Sequence, residues 1–322
     1  MNSDAAFQAD AHLLLTGGTG FFGLALLRHW LANPSLLPRV TLLSRNPAAF
    51  AARHPELAQL PGLRLHGGDI LQPGSLPWQG RFSHVLHAAA DSTLGPQLSP
   101  LERFDQVVTG TRNMLDLAVA TGAQRFLLTS SGGVYGTIEA ATGVSETCLT
   151  MPDPLQPSQA YNVAKRAAEH LCALYQQRLE VVIARCFAFV GRDLPLQVHF
   201  AIGNFIHDAL YNDALIVHGD GTALRSYMDQ RDLAHWLLVL LLRGHNAQAY
   251  NVGSEQAVSI AQLAHLVRDL LAPHKPVKIM GRAESVGTRT VYLPCIEKAR
   301  FELGLQLQFS LHESIREAAR HG

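Results

Sequence analysis

Tyr161 and Lys165 stand four residues apart in the run Tyr161-Asn162-Val163-Ala164-Lys165. On a helix that spacing brings both side chains to one face. A phenol with its ordinary pKa of about 10 is a poor proton carrier at neutral pH. An ammonium one turn away stabilises the phenolate and lowers that pKa. Upstream, Arg125-Phe126-Leu127-Leu128-Thr129-Ser130-Ser131 reads as an apolar strand that ends in hydroxyls. Ser131, at its C-terminal end, can hydrogen-bond the same substrate oxygen as Tyr161. The three together can move a proton on a hydroxyl while its carbon exchanges hydride with a nicotinamide. A Tyr–Lys pair alone is common on exposed helices, so this reading needs a dinucleotide site beside it.

That site is the stretch Thr16-Gly17-Gly18-Thr19-Gly20-Phe21-Phe22-Gly23. It follows the apolar run His12–Leu15, read as a buried strand, and opens into Leu24–Leu31, read as a helix. A strand, a glycine turn and a helix N-terminus present free N–H groups and a helix dipole to a phosphate. The spacing Gly17, Gly20, Gly23 differs from the common GxGxxG fingerprint. A second strand, Val40-Thr41-Leu42-Leu43, ends about twenty residues after the turn, where such folds meet the adenosine ribose. Ser44 and Arg45 stand there instead of an acidic residue. A guanidinium can clamp a 2′-phosphate, so the expectation leans to NADP over NAD. Asp69, before Ile70, either bonds the adenine amino group or caps its turn. The strand Ser83–Ala90 ends in Ala88-Ala89-Ala90, small enough for its backbone to lie close to a dinucleotide.

The elements that must position these groups alternate. Strands are expected at residues 63–66, 83–90, 125–131 and 180–185, and helices at about 100–121 and 160–177. Asn113 falls inside the first of these helices and needs a reason there. This alternation signals βαβ units and a parallel sheet. We expect an α/β fold, a Rossmann doubly wound parallel sheet with a smaller C-terminal substrate-binding lobe. The sheet domain covers 1–185, with 228–255 returning to it; 186–227 and 256–322 form the lobe.

Composition narrows the class. The 322 residues are 48% hydrophobic and 16% charged, which is globular rather than disordered. Lys+Arg and Asp+Glu are both 26, a balance that argues against nucleic acid as partner. The four cysteines show no metal spacing, and the 16 histidines contain no HExxH pair, so no metal site is expected. No signal peptide is expected at the N-terminus, since Met1 to Asp10 carries two aspartates and no apolar core, and the apolar run Leu233–Leu242 is too short to span a bilayer. A cytoplasmic protein with reduced thiols and no membrane partner is expected.

With these residues in place, the chain resembles the extended short-chain dehydrogenase/reductases, in the nucleotide-sugar epimerase/dehydratase group. The resemblance runs from about His12 to the C-terminus. It rests on Thr16 to Gly23, Gly68-Asp69-Ile70, His87-Ala88-Ala89, Ser131 with Val134-Tyr135-Gly136, and Tyr161 with Lys165. It implies that Thr16, Gly17, Gly20, Phe21, Phe22 and Gly23 seat the pyrophosphate, and that Lys165 also bonds the nicotinamide ribose. It implies a nucleotide-diphospho-sugar substrate, with Arg225 at its diphosphate and Asn204 and His199 in the substrate lobe. It also implies a homodimer through the helices near 101–120 and 160–177. Two departures limit the reaction. Ala188 stands where the family usually has Asn. Gly132 and Gly133 stand where 4,6-dehydratases carry an Asp-Glu pair and uronic acid decarboxylases typically place a Glu, which argues against dehydration. What remains is redox at one sugar carbon, C4, by a 4-epimerase or a 4-ketoreductase. Two rivals are a reductase of hydrophobic ketones and a non-catalytic NAD(P)-binding sensor or scaffold. Relatives of the last kind commonly lose the Tyr or Lys that stand here.

Overall fold

A computed structural model describes residues 6–90, 97–138, 142–198, 200–281 and 290–322. The chain opens with β1 (His12–Thr16), the glycine turn and α1 (Phe21–Ala32). Next come β2 (Arg39–Ser44), α2 (Pro47–Arg53), α3 (Pro55–Ala58), β3 (Leu63–Gly67) and β4 (His84–His87). The long helix α4 (Pro100–Ala120) leads to β5 (Arg125–Ser131), and α5 (Ala160–Tyr175) leads to β6 (Glu180–Cys186). Beyond them lie β7 (Phe189–Val190), α6 (Ala201–Tyr211), β8 (Leu215–Val217), β9 (Leu224–Arg225) and β10 (Met228–Asp229). Then follow α7 (Gln230–Arg243), β11 (Gln248–Val252), β12 (Val258–Ser259), α8 (Ile260–Leu271) and β13 (Val277–Ile279). The chain ends with β14 (Val291–Tyr292), α9 (Glu297–Leu303) and α10 (Leu311–Ala319).

Seven strands form the main sheet in the order β11-β6-β5-β4-β1-β2-β3. The pairings from β3 across to β6 are parallel. The winding therefore reverses between β1 and β4, and open α/β sheets bind ligands outside the carboxyl ends of the strands at such a reversal. Both strands are apolar throughout their centres because a parallel sheet is covered on both faces. Leu14, Val85, Phe126 and Leu128 of the sheet pack with Met114 and Leu115 of α4 and Ala164 and Ala168 of α5 in one buried cluster. Asn113 now has its reason: its Nδ2 donates to the Ile70 carbonyl at 2.7 Å and ties α4 to the turn after β3.

Two details differ from the sequence reading, and a third completes the second lobe. The strand expected to run to Ala90 ends at His87, and Ala90 N donates to Ala88 O in a turn. The residues after Arg45 start a helix rather than only closing a strand. Asn46 Oδ1 accepts from Ala49 N at 3.0 Å and Pro47 occupies the first helical position, a strong start signal. Residues 201–211 form α6, whose apolar face, Ile202, Phe205, Ile206 and Ala209, is buried.

The chain divides into two compact units. The first comprises residues 1–134, 151–186 and 234–250, and the second 135–150, 187–233 and 251–322. Residues 135–150 belong with the second unit, where the Tyr135 hydroxyl donates to Asn251 Oδ1 at 2.8 Å. Asp232 is buried in that unit. Its carboxylate accepts from Gln308 N and Phe309 N, and burial raises its pKa to about 6. Among the described residues, no helix is long and apolar enough to cross a membrane.

Candidate active site

The glycine turn follows β1 and faces the turn after β4. Gly17 has φ +70°, a conformation that favours glycine, and a Cβ there would collide with the Ala88 carbonyl. At Gly23, inside α1, a Cβ would collide with the backbone of Gly18. The turn therefore folds back on its own helix, and only the absence of side chains lets it do so. Gly20 is the N-cap of α1 and supplies no side-chain cap, and the dipole of such a helix N-terminus favours a phosphate. This uncapped N-terminus beside the strand reversal fits a dinucleotide pyrophosphate. Phe21 and Phe22 are half-buried, with ring centroids 6.2 Å apart.

Thr16 is buried and links the two turns. Its Oγ1 meets His87 Nδ1 at 2.7 Å and accepts from Ala89 N at 3.3 Å. Ala88, Ala89 and Ala90 are half-buried. His87 also meets Thr111 Oγ1 through Nε2 at 3.4 Å. Burial, aided by the charge of Lys165, lowers the His87 pKa to about 3, so its ring is neutral.

At the end of β2, Ser44 Oγ accepts from Asn46 N at 3.2 Å and Arg45 is exposed. Asp69 caps its turn: Oδ1 accepts from Leu71 N at 2.9 Å. Ile70, beside it, is buried against α4.

Lys165 is only 4% exposed. Its Nζ donates to the Thr129 carbonyl at 2.8 Å, two residues before Ser131 on β5. It lies 5.8 Å from the centroid of the Tyr161 ring. Burial lowers the Lys165 pKa to about 8 against the raising influence of Cys186, Glu169 and Cys172. Ser131 Oγ accepts from Gly133 N at 3.1 Å, which orients the hydroxyl. The spacing thus brings Tyr161 and Lys165 together, and β5 carries Ser131 to the same end of the sheet.

Two residues that the sequence reading passed over belong to this region. Glu169 stands one turn beyond Lys165 and is buried. It accepts from Ser130 Oγ at 2.6 Å and from Arg185 Nη2 at 2.7 Å. Its position four after Lys165 was the available signal. Arg103, on α4, sits over the Tyr161 ring at 4.4 Å from the centroid, and no local spacing announces it. A third finding concerns Gly133, where a Cβ would collide with Asn162 Oδ1, so the Asn162 amide takes the space of a side chain.

Asn204 and Arg225 belong to the second unit. Asn204 lies in the first turn of α6, half-buried, and its N–H donates to Phe200 O. One Arg225 Nη donates to the carbonyls of Leu224 and Thr290 at 2.8 and 3.2 Å. His199 lies outside the described residues. Among the described residues, no group of three His, Cys, Asp or Glu is arranged to hold a metal ion.

Comparison with known proteins agrees with this geometry. UDP-glucuronic acid decarboxylase 1 of Danio rerio is 27% identical over 315 residues, covering 96% of this chain and 72% of the relative. The dTDP-glucose 4,6-dehydratase DesIV of Streptomyces venezuelae, solved with NAD and TYD bound, is 25% identical with a TM-score of 0.79, covering 96% of each chain. A UDP-glucuronic acid 4-epimerase of Bacillus cereus, in complex with UDP-glucuronic acid and NAD, shares the fold. It is 22% identical with a TM-score of 0.79, covering 96% of this chain and 98% of the other. The family model that describes the NAD dependent epimerase/dehydratase family matches residues 13–253. A parallel sheet reversing beside a glycine-lined helix N-terminus, matched over that span, makes this chain a member of the NAD dependent epimerase/dehydratase family.

Proposed function

We propose that this chain transfers hydride at the C4 carbinol of a nucleotide-diphospho-sugar, as a 4-epimerase or a 4-ketoreductase. The observation that carries the reading is the buried Lys165, tied to the Thr129 carbonyl at 2.8 Å with its ammonium 5.8 Å from the Tyr161 ring centroid. In the oxidation direction Tyr161 Oη takes the proton of the C4 hydroxyl. Ser131 Oγ donates a hydrogen bond to the same oxygen, and Lys165 stabilises the phenolate. A bound nicotinamide dinucleotide supplies the hydride acceptor and donor. In reduction Tyr161 Oη gives the proton back to the ketone oxygen. An epimerase presents the second face of the ketone, whereas a ketoreductase runs this half alone.

Gly133 supports simple redox over elimination. A side chain at Gly133 would meet the Asn162 amide, which would have to move to admit a carboxylate at that position. The exposed Arg45 after Ser44 supports NADP. NAD is the dinucleotide bound in DesIV, which supports the other choice. The substrate class rests on the nucleotide-sugar relatives, with Arg225 as the residue for the diphosphate. A uronic acid decarboxylase is the second reading, favoured by the similarity to the Danio rerio enzyme over 96% of this chain. It shares the first step. A C4 ketone turns the C5 carboxylate into a β-keto acid, which loses CO2 and takes up a proton at C5.

The test offers the protein UDP-glucose, UDP-glucuronic acid and a 4-keto-6-deoxy nucleotide sugar, with NAD(H) and NADP(H) in parallel. Product NMR separates an epimer, a decarboxylated pentose and a reduced ketone. Tyr161→Phe is expected to lower kcat by about 10²- to 10⁴-fold while dinucleotide binding stays almost unchanged. Normal turnover by that variant would remove Tyr161 from the mechanism. A wild-type protein that binds dinucleotide and turns over none of the sugars would favour a non-catalytic binder.

A further inference from the structure

Arg103 lies in the first turn of α4, and its guanidinium carbon stands 4.4 Å from the centroid of the Tyr161 ring. Its Nε is buried with no hydrogen-bond partner. Its acidic neighbour on α4, Glu102, is committed elsewhere: the carboxylate accepts from Ser99 N at 2.8 Å and Ser99 Oγ at 2.6 Å in a capping box. A half-buried guanidinium laid on an aromatic face, with an unsatisfied N–H, is there for the ring and not for an ion pair.

From this geometry we infer that Arg103 is a second cation acting on Tyr161, a positioning residue that joins Lys165 in stabilising the phenolate. The inference rests on the reading of Tyr161 as the acid–base residue. A positive charge over the ring attracts a phenolate, whose charge spreads into the ring, more strongly than a neutral phenol. Among the described residues, Arg166, Glu169, His87 and Lys165 do not duplicate it. On α5, Arg166 donates to the Val134 carbonyl at 3.0 Å, and Glu169 is held by Ser130 and Arg185. His87, on β4, is neutral. Lys165 is a cation whose charge is being lost as the pH rises through about 8, because it is buried. A guanidinium keeps its charge throughout that range. Arg103 therefore extends the range over which a cation stands beside the phenol.

The test titrates Tyr161 directly in the dinucleotide-loaded protein by tyrosinate absorbance, with Tyr161→Phe as the spectral blank. Arg103→Met and Arg103→Gln remove the charge from a half-exposed first-turn position, and Arg103→Lys keeps it. Both neutral variants are expected to raise the Tyr161 midpoint by about 0.5 to 1 pH unit, with Arg103→Lys recovering part of the shift. The acid limb of kcat/KM should move upward with it, since Tyr161 must be ionised to accept a proton. An unmoved midpoint in both neutral variants overturns the inference, and a rise confined to KM would then make Arg103 a substrate contact. Turnover retained by Tyr161→Phe would overturn the acid–base reading alone, because the absorbance titration still reports whether Arg103 acts on the ring.

Discussion

Tyr161, Lys165 and Glu169 descend one face of α5 at successive four-residue steps, and each meets a different partner. Tyr161 meets the Arg103 guanidinium, Lys165 the Thr129 carbonyl, and Glu169 the Ser130 hydroxyl and Arg185. The last pair is well buried, with side chains 9% and 13% exposed for Glu169 and Arg185. Breaking a buried pair strands the surviving charge, which costs far more than the intact pair contributes. Glu169→Gln is therefore expected to destabilise the fold by about 3–5 kcal/mol, measured by urea denaturation. A loss below about 1 kcal/mol would mean that water reaches Arg185, as at an exposed pair. The first two residues of this stripe were legible from spacing. Glu169 was equally spaced but passed over, because a carboxylate on a helix usually faces solvent.

At the scale of elements, β1, the glycine turn and α1 form one device. The turn is closed by glycine on both sides, Gly17 against Ala88 and Gly23 against Gly18. Gly23→Ala is expected to push α1 away from the turn, at about 1–3 kcal/mol of stability, and to abolish tight dinucleotide binding. Thermal denaturation and a fluorescence titration with NADH and NADPH would check both effects. Retained affinity would mean that this helix N-terminus does not seat the pyrophosphate. The strand–turn–helix order and the glycine spacing were readable in the sequence. The identity of what each glycine touches was not, since Ala88 arrives from a distant strand through the parallel pairing of β1 with β4.

At the scale of the molecule, the buried neutral histidine sets a pH dependence. His87 titrates at about 3 in the folded protein against 6.5 when free, with burial the leading cause. Between those values the unfolded chain binds a proton that the folded chain excludes, so stability falls as the pH drops below 6.5. At pH 5 this one group removes about 2 kcal/mol. His84, lowered to about 4 mainly by burial, acts in the same direction. Denaturant unfolding at pH 7.5 and pH 5 should show the loss, and His87→Gln should shrink the difference. An equal loss in that variant would assign it to other groups.

By itself the sequence determined the local devices: the apolar period of the strands, the glycine turn opening a helix, and a tyrosine and lysine on one helical face. Each depends on backbone periodicity and on residues within a turn or two of each other, which a linear pattern records. Tertiary structure alone decided the rest. It laid Arg103 of α4 on the ring of Tyr161 and set Asn162 into the space at Gly133. It buried Lys165 until its charge weakened, and it joined Thr16 to His87 across two strands. These effects come from packing α4 and α5 against one sheet, where side chains far apart in sequence share a volume from which water is excluded.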